Sequence, residues 1–332
     1  MKYKLSDLVE IKYGKNYKKL KSGSIPVYGS GGIMKYVNDY LYNGKSVLIP
    51  RKGSLNNVFY VTGKFWTVDT LFWTKVNSNI VVPKYLYYCL KKINLSSLNV
   101  GSAVPSLTVK VLNNINIDIP SLEYQKKIIE KMSKLETKIE INNKINDNLF
   151  EIANVIFDDK FPKINNADVP ISNYFLPKRG KNLLKRNVIE GSVPVIAGGL
   201  KPAAYHNKSN TLSPVITISA SGANAGYVKI WFENVWSSDS SFIDSSITNN
   251  IYFWYILLKK RQQDIFDSQT GSAQPHIYPK HIGDLLIGNI SEIKVNAFNQ
   301  KISPLFSKIG LINKENTKLI NIKNQLLKKY FD

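Results

Sequence analysis

Two residue types that usually carry metal and disulfide chemistry are nearly missing from this 332-residue chain. It has one cysteine, Cys89, and three histidines, His206, His276 and His281. A single cysteine excludes an internal disulfide framework and any cysteine-based zinc finger, and it fits a reducing, cytoplasmic compartment. No histidine pairs with another at helical spacing or stands in a carboxylate-rich segment, so no metal site is expected. No apolar run approaches the ~20 residues needed to span a bilayer, so no membrane is expected as a partner. The segment Met1–Asp7 lacks the apolar core of a secretory signal. Acidic residues are also scarce: 24 against 45 lysines and arginines, a net charge of +21. Such a surplus favours a polyanionic partner, with nucleic acid the first candidate.

Catalytic phrases are absent as well. There is no Pro-Pro pair, and so no [Asn/Asp]-Pro-Pro-[Tyr/Phe] methyl-transfer motif. There is no P-loop and no Gly-x-Ser-x-Gly elbow, and Gly29–Met34 fails Gly-x-Gly-x-x-Gly at its last position. Cys89 lies in the apolar stretch Tyr85–Leu90 and reads as a core residue. Asp69 and Asp239 read as turn-forming residues rather than catalytic carboxylates. The chain reads as a binder without catalysis of its own.

What is present is a repeat. At offsets of 166 to 170 residues, Gly14-Lys15-Asn16 matches Gly180-Lys181-Asn182 and Gly23–Val27 matches Gly191–Val195. Trp66, Asp69 and Phe72 match Trp236, Asp239 and Phe242. Gly101-Ser102-Ala103 and Pro105 match Gly271-Ser272-Ala273 and Pro275. From there the offset stays at 170 to the end of the sequence, with Asn143 on Asn313 and Asn146 on Asn316. Two copies of this size mean a duplicated domain-plus-helix unit rather than a solenoid. Lengths of 162 and 170 residues suggest two complete copies.

The first part of each copy is rich in short β-branched and aromatic runs, such as Ser46–Ile49, Val58–Val61, Phe65–Val68 and Pro214–Ile218, punctuated by glycine clusters. One short helix is predicted in each, around Pro83–Lys92 and Ile251–Arg261. The second part is a long helix with a heptad seam. Over 122–158 the seam reads Ile128, Met132, Leu135, Ile139, Asn142, Asn146, Leu149, Ala153 and Ile156. Over 292–330 it reads Phe298, Ile302, Leu305, Ile309, Ile312, Asn316, Leu319, Lys323 and Leu326. About 36 residues make a rod of roughly 54 Å. The asparagines either fix the register from within the seam or lie beside it as solvated polar residues. Pro304 is a candidate kink.

The fold class expected is α+β: two similar domains with mixed β structure, separated by two long antiparallel coiled-coil helices with pseudo-two-fold symmetry. The predicted boundaries are 1–120 and 163–290 for the domains, 121–162 and 291–332 for the helices. Charge follows these parts, with 17 basic and 5 acidic residues in 1–120, net +12, and 13 and 8 in 163–290, net +5. The first helix carries 7 and 8, net −1, and the second 8 and 3, net +5. Nucleic-acid contacts are therefore expected in the domains.

This order of parts resembles the specificity subunit of type I restriction-modification enzymes. The phrases that carry the likeness are Gly23–Gly32 and Gly191–Gly199, Trp66–Phe72 and Trp236–Phe242, and above all Gly101–Pro105 and Gly271–Ile277, each running into a long helix. The resemblance implies a non-catalytic subunit whose two recognition domains each read half of a bipartite, non-palindromic site on double-stranded DNA. It implies helices that set the spacer and dock two methyltransferase subunits. It also implies that S-adenosylmethionine, ATP and magnesium belong to those partners and to restriction/translocase subunits. The candidate DNA contacts in the first domain are Lys15, Asn16, Lys18, Lys19, Ser30, Arg51, Lys52, Ser54, Asn56, Ser102 and Lys110. In the second they are Arg179, Lys181, Asn182, Lys185, Arg186, Ser219, Ser221, Asn224, Ser272 and Lys280. These are residue types that hold phosphates or read base edges. Arg51–Ser54 and Ser219–Gly222 read as equivalent loops with different side chains. Two other readings stand beside this one: the recognition subunit of a type II enzyme that cuts on both sides of its site, and a coiled-coil scaffold that binds another polyanion. A stand-alone enzyme is the weakest.

Overall fold

The computed structural model describes residues 1–271 and 273–331. The chain divides into two units, Met1–Glu140 with Thr317–Asp332, and Ile141–Asn316. Helices Leu122–Lys160 and Glu292–Phe331 each contribute one part to each unit.

In the first unit the apolar runs become strands. Ser46–Pro50, buried along its whole length, lies inside an antiparallel sheet of order Val9–Tyr13, Leu71–Val76, Ser46–Pro50, Phe59–Val61. A second sheet runs Gly32–Val37, Ser22–Gly29, Lys64–Thr67, Tyr42–Asn43, with Val27 paired parallel to Trp66. Lys2–Lys4 pairs with Asn116–Asp118. Helix Pro83–Lys92 forms where expected. Proline opens its first turn, Lys91 and Lys92 close it against the helix dipole, and Tyr85, Leu86, Tyr88 and Leu90 face the core.

The second unit repeats this wiring. Its antiparallel sheet runs Lys178–Arg179, Ser240–Ile243, Val215–Ser219, Val228–Trp231, again with the buried strand inside. Its three-stranded sheet runs Ala204–His206, Val193–Ile196, Trp236–Ser237, with Val195 parallel to Trp236. Val169–Pro170 pairs with Leu286–Ile287. Helix Ile251–Lys260 is the counterpart of Pro83–Lys92. Strand order and the parallel pairing thus recur at residues that the repeat had already matched. The chain is α+β, with two similar mixed-β domains and two long helices.

Within each unit the two helices run antiparallel. In the first, Glu136 meets Lys323 and Tyr124 meets Tyr330. In the second, Phe157 meets Phe298 and Phe150 meets Phe306. The predicted seam is buried at Ile128, Met132, Asn142, Ala153, Phe298, Ile302, Ile309, Ile312 and Asn316, and half-buried at Leu135, Ile139, Asn146, Leu149, Ile156, Leu305, Leu319, Lys323 and Leu326. It needs correction near the base of the second domain. There Phe157 and Phe306 take the buried places that the strict heptad gave to Ile156 and Leu305. The larger rings fill the space between helices and domain, so they set the local register. The asparagines lie in the seam. Asn142 is 1% exposed and donates to Asn316 Oδ1 at 2.8 Å. Asn316 Nδ2 donates to Asn143 Oδ1 at 2.9 Å, and Asn146 Nδ2 to Asn313 Oδ1 at 2.8 Å. These last two bonds are repeat counterparts of each other, since Asn143 matches Asn313 and Asn146 matches Asn316. Apolar contacts tolerate sliding, whereas paired amides do not, so they fix the register. The second helix passes through Pro304 without interruption.

Candidate nucleic-acid interface

The matched glycines build the same loop cluster at the head of each domain. Gly14 passes so close to the Val68 carbonyl that a Cβ would lie 2.0 Å from its oxygen, and Gly180 meets the Ser237 and Ser238 carbonyls in the same way. Beside them, Lys15 N donates to Thr67 O at 2.8 Å and its carbonyl accepts the Trp66 indole N–H at 2.9 Å. In the other copy, Lys181 N donates to Ser237 O at 2.9 Å and its carbonyl accepts the Trp236 indole at 2.8 Å. A side chain larger than hydrogen has no room there. Gly14→Ala is expected to cost about 1–3 kcal/mol through forced backbone movement. Thermal unfolding checks this, and an unchanged melting temperature would mean that the contact relaxes freely.

A second docking joins the loop after the buried strand to the Gly-Ser-Ala-x-Pro turn. Gly53 N donates to Pro105 O at 3.0 Å and Gly222 N to Pro275 O at 3.1 Å. Both glycines have positive φ, +86° and +79°, which explains the residue type. Lys52 is bridged to Ser106, and Ser221 to His276. The glycine turn after the first sheet strand completes the cluster. Asn57 Nδ2 donates to Ser30 O at 2.8 Å, and Asn224 Nδ2 to Gly198 O at 3.3 Å.

This cluster gathers Ser30, Arg51, Lys52 and Ser54 around the turn that carries Ser102. Lys15, Asn16, Lys18 and Lys19 follow the Gly14 contact and are exposed. In the second domain it gathers Ser221 and Asn224, while Arg179, Lys181 and Asn182 flank the Gly180 contact, followed by Lys185 and Arg186 on a short 3₁₀ turn. Lys110 and Lys280 are exposed on the short helices Val109–Asn113 and Pro279–Gly283. Ser272 lies outside the described residues.

Two expectations change. Ser219 is not a loop residue. It ends the buried strand, is 4% exposed, and donates its hydroxyl to Ala197 O at 3.2 Å. Strand pairing with Ser240 draws it into the sheet. The Asn56 side chain is occupied within the domain, donating to Asn94 Oδ1 at 3.1 Å and accepting Ser96 N at 3.0 Å. Two residues were missed as site elements. Tyr13 carries the Arg51 guanidinium over its ring at 5.4 Å, and the Asp239 carboxylate accepts from both Arg179 and Ser221. Cys89 is half-buried, and burial pushes its thiol up to about 12, so it is no ready nucleophile. Among the described residues no helix is long and apolar enough to cross a membrane.

Two copies of one framework, each presenting a polar loop cluster at the same place, define a duplicated α+β fold. Residues 1–151 match the family described as the type I restriction modification DNA specificity domain. A putative type I specificity subunit of Mycoplasma pneumoniae is 32% identical over 144 residues, 40% of this chain and 47% of that protein. The N-terminal portion of another putative type I specificity subunit from the same organism is 31% identical over 135 residues, 38% of this chain and 72% of that sequence. The S subunit of a type I restriction-modification system from M. genitalium shares the fold, with a TM-score of 0.64 at 19% identity, over 100% of this chain and 96% of its own. The chain belongs to the family of type I restriction-modification specificity subunits. Its match covers about half the length of the first of these relatives.

Proposed function

We propose that the chain confers DNA sequence specificity on a type I restriction-modification complex. Each recognition domain reads one half of a bipartite duplex site. The long helices set the unread spacer and dock two methyltransferase subunits. S-adenosylmethionine is held by those subunits, ATP and magnesium by restriction/translocase subunits, and the chain supplies no catalytic group. One observation carries this reading: the same backbone cluster occurs twice with different side chains, Arg51-Lys52-Gly53 in one domain and Ala220-Ser221-Gly222 in the other. A shared framework with unlike presented residues suits two readers of unlike half-sites, and hence a non-palindromic site. The domains' surplus of positive charge suits a duplex partner.

Co-expression with the methyltransferase subunit of its system, followed by genome-wide methylation mapping, tests this. The expected result is a new bipartite motif with a fixed gap. Exchanging residues 163–290 for the matching domain of another specificity subunit should change one half only. If the chain copurifies with the methyltransferase and no new motif appears, the reading fails in favour of a scaffold.

A further inference from the structure

Each domain places one arginine beside the aspartate turn, and the two arginines come from different elements. Leu107 N donates to Arg51 O and Ile277 N to Ala220 O, which aligns Arg51 with Ala220. The Gly14 and Gly180 contacts align Tyr13 with Arg179. The arginine of one copy is therefore an alanine in the other, and the arginine of the other is a tyrosine in the first. Both are nevertheless held at the matched turn. Arg51 Nη1 donates to the Asp69 carbonyl at 3.2 Å while its guanidinium lies 5.4 Å from the Tyr13 ring centroid. Arg179 Nη2 donates to Asp239 Oδ1 at 2.7 Å, and the other carboxylate oxygen accepts the Ser221 hydroxyl. Ser221 in turn is bridged to His276, the residue after Pro275.

We infer that Arg51 and Arg179 are specificity-determining residues, each reading one guanine of its half-site. The inference rests on the function proposed above. A guanidinium has five N–H donors, and each arginine is buttressed through one of them. The Arg179 side chain stays 42% exposed. Buttressing removes rotamer freedom before binding, which favours a contact of fixed geometry. Guanine offers O6 and N7 as paired acceptors in the major groove, the arrangement that an arginine fork fits. A phosphate is the poorer partner here, because the Asp239 carboxylate beside Arg179 repels it.

The experiment maps methylation by the assembled complex carrying wild-type, Arg51→Lys or Arg179→Lys chains. Lysine keeps the charge and loses the fork. Wild type should give a bipartite motif with a guanine in each half. Arg179→Lys should reduce discrimination at one guanine in the second domain's half by about 5- to 150-fold and leave the other half intact. Arg51→Lys should do the converse. A wild-type complex with no bipartite motif overturns the underlying function. A bipartite wild-type motif that both lysine variants retain overturns the arginine assignment alone. Where a variant assembles but methylates nothing, duplex binding decides. Equal binding to sites with and without the guanine supports the inference, and uniformly weaker binding with the preference intact overturns it.

Discussion

Phe157→Ala is expected to destabilise the second unit by about 3–5 kcal/mol. Phe157 is fully buried and belongs to a closed set of four rings. Its centroid lies 5.3 Å from Phe161, 5.4 Å from Phe253 and 5.6 Å from Phe298. Phe161 also contacts Phe253 at 4.9 Å and Phe298 at 5.3 Å. The four rings come from the end of one long helix and the residue after it, the start of the other, and the short helix Ile251–Lys260. Removing one ring loses its transfer energy and leaves a cavity that three separately anchored elements cannot close. Hydrogen exchange in the full chain gives a local readout. Amides of 251–258 should exchange much faster in the variant, while those of Pro83–Lys92 keep their protection. Unchanged exchange at 251–258 would show that the neighbouring rings repack without loss.

The repeat was legible because it is written in residues whose positions tolerate no substitute. Gly14 and Gly180 face carbonyls, Gly53 and Gly222 need positive φ, and Trp66 and Trp236 donate to the matched carbonyls of Lys15 and Lys181. Residues fixed by such geometry survive in both copies, and so they align. The helical seam was legible from its alternating spacing down to Ala153. It failed where Phe157 and Phe306 meet the domain, since tertiary volume there outweighs the helix's own period. The polar loop clusters were less legible for two reasons. Lysines on a loop announce charge but not direction. Partnerships such as Arg179 with Asp239, or Asn56 with Asn94, join residues far apart in sequence, and no local pattern records them. Ser219 shows the same limit. A serine before Ala-Ser-Gly reads as a loop, and only the neighbouring strand Ser240–Ile243 makes it part of the sheet.

Charge inside a helical pair leads to the second large effect. Glu136, on the first long helix, accepts Lys84 Nζ at 2.7 Å, Lys323 Nζ at 2.8 Å and the Tyr88 hydroxyl at 2.5 Å. It thereby ties the short helix Pro83–Lys92 and both long helices together within the first unit. Side-chain exposure is 28% for Glu136, 21% for Lys84 and 28% for Lys323. Burial acts to raise the carboxyl pKa, but the hydrogen bonds from Lys323, Lys84 and Tyr88 outweigh it and hold the group down at about 2. A carboxyl depressed in the folded state stabilises above its ordinary value near 4.5, and that stability is lost as pH falls from there toward 2. With allowance for the solvent that still reaches the site, the linked contribution is about 2 kcal/mol. Glu136→Gln keeps the shape and strands two half-buried ammonium groups, so it should cost about 3–5 kcal/mol at neutral pH. The gap between wild type and variant should then narrow as pH falls through this window, because the unfolded wild-type chain takes up a proton at Glu136 that the folded chain does not, whereas the variant has no carboxyl to protonate. Urea unfolding of the full chain at pH 7 and near pH 3, read by hydrogen exchange at the amides of Pro83–Lys92, measures both. A gap of equal size at the two pH values would place the cost in packing rather than in the carboxylate's charge. The helix pair of the first unit would then owe its cohesion to Leu326, Leu327 and Phe331 against the core.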